Sequence, residues 1–92
     1  MIVRIFSDGQ YRIPDGIHTR LHELDDKAVA AVDENDPEAF RSAYETLLAL
    51  IHDNGERLPD DALEPSDLML PPADISLEEA RSEFTGEGLI PD

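Results

Sequence analysis

Residues 1–13 read MIVRIFSDGQYRI, and this stretch decides the class of fold. β-Branched and aromatic residues dominate its two ends, which is typical of strands. Between them lies Ser7-Asp8-Gly9-Gln10, a turn-forming sequence. An Asp-Gly pair suits the two central positions of a type I′ turn, because glycine adopts positive φ without strain. The stretch therefore predicts an antiparallel β-hairpin.

The turn fixes a predicted register for the hairpin. With Asp8-Gly9 at its centre, Phe6 lies opposite Tyr11 and Arg4 lies opposite Ile13. We expect one face of the hairpin to carry Ile2, Phe6, Tyr11 and Ile13.

Two helices are predicted after the hairpin. Apolar side chains recur at helical spacing from residue 15 or 16 to about Glu34, and again across residues 37–54. Asp36-Pro37 is an N-cap followed by a first-turn proline, and Asn54-Gly55 is typical of a left-handed helix end. The short connection indicates an antiparallel αα-hairpin.

Prolines at 59, 65, 71 and 72 make residues 58–72 a predicted rigid extended segment. Within it, Ser66–Leu70 could form a short edge strand. Ser76 and Glu79 have the spacing of a capping box, which predicts a short helix through Phe84 that Gly86 ends. We expect the apolar Leu89 and Ile90 to pack against the core. The predicted fold class is therefore α+β: an N-terminal β-hairpin, an antiparallel αα-hairpin, a proline-rich extended segment and a short C-terminal helix, in one domain over residues 1–92.

The charge distribution excludes several classes of function. The chain has 22 acidic and seven basic side chains and a net charge of −15, while residues 1–20 alone carry three arginines and two aspartates. Phosphate backbones and anionic headgroups repel such a chain, so we expect no nucleic-acid partner and no direct insertion into a membrane. With no cysteine and no apolar leader, we expect a cytoplasmic protein.

Few residues indicate chemistry. His18 and His22 are four apart on the first predicted helix and could reach one metal ion, with Asp25, Asp26 or His52 completing the site. Solvent-facing histidines explain the same pair. The paired carboxylates fit a solvated surface, and no phosphate loop or nucleophile motif occurs. We therefore expect no catalytic residue, no metal and no cofactor.

A partner-binding role is the stronger expectation. A strand turns only alternate side chains inward, so at least one of Leu68, Met69 and Leu70 should be exposed or meet a partner, for example by strand addition. The alternative is that this segment covers the helix pair. Arg4 and Arg12 are cations in an acidic protein, for which intramolecular ion pairs are the other explanation. The candidate contact residues are Arg4, Tyr11, Arg12, Leu68, Met69 and Leu70.

The opening MIVRI and GQYR, with EPSDLMLPP and EGLIP near the end, resembles the PspA-associated protein family, PspAA, and the similarity covers the whole chain. The resemblance implies a bacterial accessory or regulatory protein that binds the phage-shock protein PspA, a helical membrane-remodelling protein of the envelope stress response. Such a partner could recruit it to the inner face of the membrane. The resemblance supplies no catalytic residues and no oligomeric state. The alternatives are an acidic decoy that occupies a nucleic-acid-binding protein and a metal-dependent enzyme at His18 and His22.

Overall fold

The fold is a four-stranded sheet with helices packed on one face. A computed structural model describes residues 1–59, 61, 63–84, 88 and 89. Its elements in chain order are β1 (Ile2–Ile5), β2 (Gly9–Arg12), a 3-10 turn (Asp15–Ile17), α1 (His18–Asp33), α2 (Pro37–Asn54), β3 (Glu56–Arg57), β4 (Leu68–Leu70) and α3 (Leu77–Glu83). The predicted α+β class and its antiparallel helix pair are confirmed.

β1 lies inside the sheet, whose strand order is β3-β2-β1-β4. β2 pairs antiparallel with β1 on one side, and β4 pairs parallel with it on the other. The connection between β1 and β4 contains both long helices, which is the kind of crossover that parallel strands require. The short edge strand predicted within Ser66–Leu70 is confirmed as β4, Leu68–Leu70. Its inner side chain, Leu70, also packs in the core with the helix pair, so the strand and the covering segment of the alternative are compatible.

The hairpin is confirmed, but its predicted register is wrong. Val3 lies opposite Tyr11 and Ile5 lies opposite Gly9, so Phe6, Ser7 and Asp8 form the connection. The Asp8 N–H donates to the Ile5 carbonyl at 3.1 Å, and Ser7 has a φ of 68°, so the positive φ falls on Ser7 and not on Asp8-Gly9.

This register changes which side chains face the helices. Val3 and Ile5 are buried with Tyr11 and Ile13, whereas Phe6 is 50% exposed and Ile2 is half-buried. Packing against the helices and pairing with β4 select this arrangement, because a register that turned Val3 and Ile5 outward would expose both.

α1 and α2 form the second layer. Asp36 caps α2 through its Oδ1, which accepts from the Ala39 N–H at 3.1 Å, and Asn35 takes the left-handed turn conformation with a φ of 58°. Both helices bury one apolar stripe against the sheet. The buried hydrophobic side chains of the helix pair are Leu21, Leu24, Ala28, Ala31, Val32, Phe40, Ala43, Tyr44, Leu47, Leu48 and Ile51.

α3 closes one end of this core. The predicted capping box is confirmed: the Ser76 hydroxyl accepts from the Glu79 N–H at 3.2 Å, and the Glu79 carboxylate accepts from the Ser76 N–H at 3.4 Å. Phe84, just after the helix, packs edge-on against Phe40 and Tyr44 with ring centroids 5.3 and 5.5 Å apart. Aromatic pairs favour this geometry. The Tyr44 hydroxyl also donates to the Pro71 carbonyl, which joins α2 to the residue after β4.

The end of the chain packs against α1. Leu89 is partly buried against the core, as predicted, and its N–H donates to both carboxylate oxygens of Asp25 at 3.0 Å. Asp25 has no exposed surface, so the expectation of a solvated carboxylate there is wrong. The predicted roles of Gly86 and Ile90 lie outside the described residues.

Gly55 ends α2 for a different reason from the one predicted. Its φ is −87° and its ψ is 159°, which is extended backbone and not the left-handed conformation. A Cβ at this position would lie 2.6 Å from the Ile51 carbonyl oxygen and 3.1 Å from Ile13 Cγ2. Glycine is required because the chain turns sharply from α2 into β3 against β2.

Replacing Gly55 with alanine should therefore destabilise the protein. Forcing a methyl group against a backbone oxygen should lower the free energy of unfolding by about 1–3 kcal/mol. Gly16→Ala is the matched control, because a Cβ at Gly16 meets nothing within 4 Å. Urea unfolding of both variants checks this expectation, and equal stability of the two would contradict it.

Candidate partner-binding surface

The sheet has one face packed on the helices and one outer face. Along β1, Val3 and Ile5 point to the core, so Arg4 and the following Phe6 point outward. Met69 lies opposite Arg4 on β4, and its neighbour Leu70 is fully buried. Phe6 and Met69 are each 50% exposed. Together, Arg4, Phe6 and Met69 form the outer-face patch.

The other half of the outer face is covered by the chain itself. Gln10, opposite Arg4 on β2, is buried because its side-chain amide donates to the Glu64 carbonyl at 3.0 Å and to Ser66 Oγ at 2.7 Å. Arg12 binds both carboxylate oxygens of Glu64 at 2.6 Å. The hydrogen bonds and the negative charge of Glu64 raise the pKa of Arg12. Glu64 and Ser66 of the proline-rich segment are thereby fixed to β2.

The structure separates the six candidate contact residues. Arg4 and Met69 are exposed and adjacent, and Leu68 is half-buried. The Tyr11 and Leu70 side chains are buried in the core. Arg12 is exposed but forms the predicted intramolecular ion pair. Arg4 forms no ion pair with any residue that the structure describes.

A polar cluster lies beside the hairpin turn and consists of Asp8, Tyr11, His52 and Arg57. Asp8 Oδ2 is 2.6 Å from His52 Nε2, and Asp8 Oδ1 accepts from the Tyr11 hydroxyl at 2.8 Å and from Arg57 Nη1 at 3.1 Å. Arg57 also donates to the Asp8 carbonyl at 3.0 Å, and the Tyr11 and His52 rings meet edge-on at 5.1 Å. The cluster ties the turn to the end of α2 and to β3.

The cluster shifts two pKa values. Burial alone would raise the pKa of Asp8, but hydrogen bonds from Tyr11 and His52 and the positive charges of His52 and Arg57 outweigh burial and lower it. Burial raises the pKa of the Tyr11 hydroxyl, and the adjacent Asp8 carboxylate raises it further, against the opposing effect of Arg57. Asp8 is therefore held as a carboxylate that accepts hydrogen bonds.

A shallow cleft of about 350 Å³ lies next to the cluster, between the hairpin turn, α2 and the chain after β4. His52 and Asp8 line it, with Leu48 and Pro72 among its apolar residues. The two groups that could transfer protons bind each other, and Tyr11 and Arg57 bind the same carboxylate. Because these side chains are bound to one another, the arrangement fits a structural role for the cluster.

The alternative metal site is incomplete in the described part of the chain. His22 Nδ1 lies 3.4 Å from Asp26 Oδ2, one helical turn away. Asp25 is turned into the interior toward Leu89, and His52 is bound to Asp8. Among the described residues no group of three or more metal-ligating side chains is close enough to hold an ion.

Three features of this region escaped sequence reasoning. Phe6 was predicted to share a face with Tyr11 and Ile13, because the predicted turn was centred on Asp8-Gly9. The role of Arg57 depends on β3, which has only two residues and no sequence pattern of its own. The role of His52 depends on a contact with Asp8, which is 44 residues away in the sequence.

Asp8→Asn should lower stability in a pH-dependent way. The variant removes the charge that three neighbours bind, so at pH 7 the free energy of unfolding should fall by about 1–2 kcal/mol. The folded-state pKa lies below the ordinary value of 3.8, so the unfolded chain takes up the proton first. The contribution of Asp8 is thus present above that value and is lost as the pH falls through the folded-state pKa.

Urea unfolding between pH 7 and pH 3 measures this effect, and the deficit of the variant should shrink as the pH falls. Asp15→Asn is the matched control, because Asp15 is an exposed aspartate that does not belong to the polar cluster. A deficit that stays constant with pH, or that Asp15→Asn shares, would contradict the assignment.

Comparison with known proteins gives one positive result. No curated protein and no solved structure matches the chain. None of the helices in the described part of the chain has the length and apolar character needed to cross a bilayer. The family model described as PspA-associated protein matches residues 1–92. The chain therefore belongs to the PspA-associated protein family, PspAA, as the resemblance of its sequence indicated.

Proposed function

We propose that this chain is a non-enzymatic accessory protein that binds a PspA-like helical protein and regulates it. The observation that carries the proposal is the family match over the whole chain, since the family is described by its association with PspA. Recruitment to the inner face of the membrane would then come through the partner.

The geometry supports binding over catalysis. The titratable groups beside the cleft at the hairpin turn are bound to one another, an arrangement that supports a role in holding the fold over a role in acting on a substrate. The outer-face patch instead exposes an aromatic ring, a thioether and a guanidinium, three groups that are common at the centres of protein interfaces.

The net charge supports a partner with basic surfaces. A charge of −15 attracts a basic protein over long distances and speeds its association. Salt weakens this attraction, and its screening length is about 10 Å at 0.1 M. The same charge disfavours direct contact with anionic lipid.

The direct test is a binding measurement between the purified chain and the PspA-like protein of the same genome. Isothermal titration calorimetry should give saturable binding whose Kd weakens as NaCl rises from about 0.05 to about 0.3 M, because screening reduces the charge attraction. Lysozyme, an unrelated basic protein, is the control for attraction by charge alone. Absence of binding at low salt, or equal binding to lysozyme, would refute the proposal.

A further inference from the structure

We infer that the outer-face patch of Arg4, Phe6 and Met69 binds an amphipathic helix, basic overall, that carries an acidic side chain beside its apolar stripe. This inference rests on the proposed function and specifies where and how the partner binds.

The apolar part of the patch provides two anchors. Phe6 directly follows β1, and its N–H donates to the Leu70 carbonyl at 3.0 Å, so the pairing with β4 continues to this residue. By strand alternation Phe6 lies on the same face as Arg4, which is paired with Met69 on β4. A two-residue step at about 3.3 Å per residue and a strand spacing of about 4.8 Å place Phe6 and Met69 roughly 8 Å apart. Side chains one helical turn apart, with Cβ atoms roughly 6 Å apart, can reach both. Each side chain keeps 50% of its surface exposed although the rest of the sheet is well packed. Two anchors at this distance suit side chains at positions i and i+4 of a helix.

The charge of the patch specifies the third contact. Arg4 lies directly opposite Met69 and two residues before Phe6, and it forms no ion pair within the described residues, although the chain has 22 acidic side chains. Arg12, the other arginine of the hairpin, is instead paired with the Glu64 carboxylate at 2.6 Å. If a partner covered Arg4 without supplying a carboxylate, the guanidinium would be buried and unpaired, which costs a large free energy. The partner must therefore supply an acidic side chain at this point, while its remaining charge is basic and complements the chain as a whole.

The edge of the sheet argues against strand addition. The Leu70 carbonyl accepts from the Phe6 N–H at 3.0 Å, so the backbone groups of Leu70 point to β1 and those of Met69 point to the free edge. β4 has only three residues, with Pro65 before it and Pro71-Pro72 directly after it. Short edges next to prolines resist pairing with another strand. A helix needs only the side-chain surface, which this edge does not interrupt.

Two variants test the patch against matched controls. Arg4→Glu should repel the acidic contact, and Met69→Asp should remove an anchor, so each should weaken the Kd for the PspA-like protein about tenfold or more. Arg41→Glu makes the same substitution as Arg4→Glu, and Ala49→Asp introduces the same acidic residue as Met69→Asp, both at exposed positions of α2. These controls change the net charge equally and should stay within about twofold of the unmodified protein.

The outcomes separate this inference from the proposed function. If the unmodified protein does not bind, the proposed function fails. If it binds and Arg4→Glu and Met69→Asp bind equally well, with unchanged thermal unfolding, the patch is refuted while the function stands. NMR of the complex tests the occupant: side-chain contacts from Phe6 and Met69 to partner side chains are expected. Contacts between the Met69 amide proton and an extended partner backbone would show strand addition and overturn the helix.

Discussion

The pairing of β1 with strands on both sides is the constraint on which the rest of the structure depends. It turns Val3 and Ile5 to the helices and so gives the helix pair an apolar surface to cover. It also brings β4, with Leu70 fully buried, beside the first strand of the chain. A shift of one residue would exchange the two faces and place Arg4 in the core. Burial of β1 therefore fixes which side chains remain outside.

The outer face follows from this arrangement and from the proline-rich segment. Glu64 and Ser66 neutralise and cover the β2 half, where Arg12 and Gln10 lie. The β1–β4 half keeps a cation and two large apolar groups in contact with water. In a strongly acidic protein, such a region differs in both charge and polarity from its surroundings. This is the region that we propose as the binding surface, and the polar cluster ties the hairpin turn beside it to α2 and β3.

The helices could be predicted because their caps involve residues close together in the sequence. The features that the sequence did not predict depend on contacts between residues far apart in the sequence. Asp36, Pro37, Ser76 and Glu79 act within one helical turn, and their caps formed as expected. The hairpin register depends on β4 and on the helices, which no local turn rule includes, so Asp8-Gly9 was misleading. Nothing near Asp25 in the sequence indicated its burial, because Leu89, whose N–H it accepts, lies 64 residues away. Charge and the run of three apolar residues were enough to single out Arg4 and Met69, but Phe6 was placed on the wrong face.

The contact between Asp25 and Leu89 has a consequence for how the protein is made. Its two residues are 64 positions apart in the sequence, and Ile2 and Asp67, which are also hydrogen-bonded, are 65 apart. Both the sheet and the helix layer therefore contain contacts that need residues synthesised late. Translation at roughly 5–20 residues per second leaves the first strand and first helix without these contacts for several seconds. During that interval α1 lacks the Leu89 N–H that Asp25 binds in the folded protein. The contact between Asp25 and Leu89 is therefore one that the growing chain can form only late in synthesis.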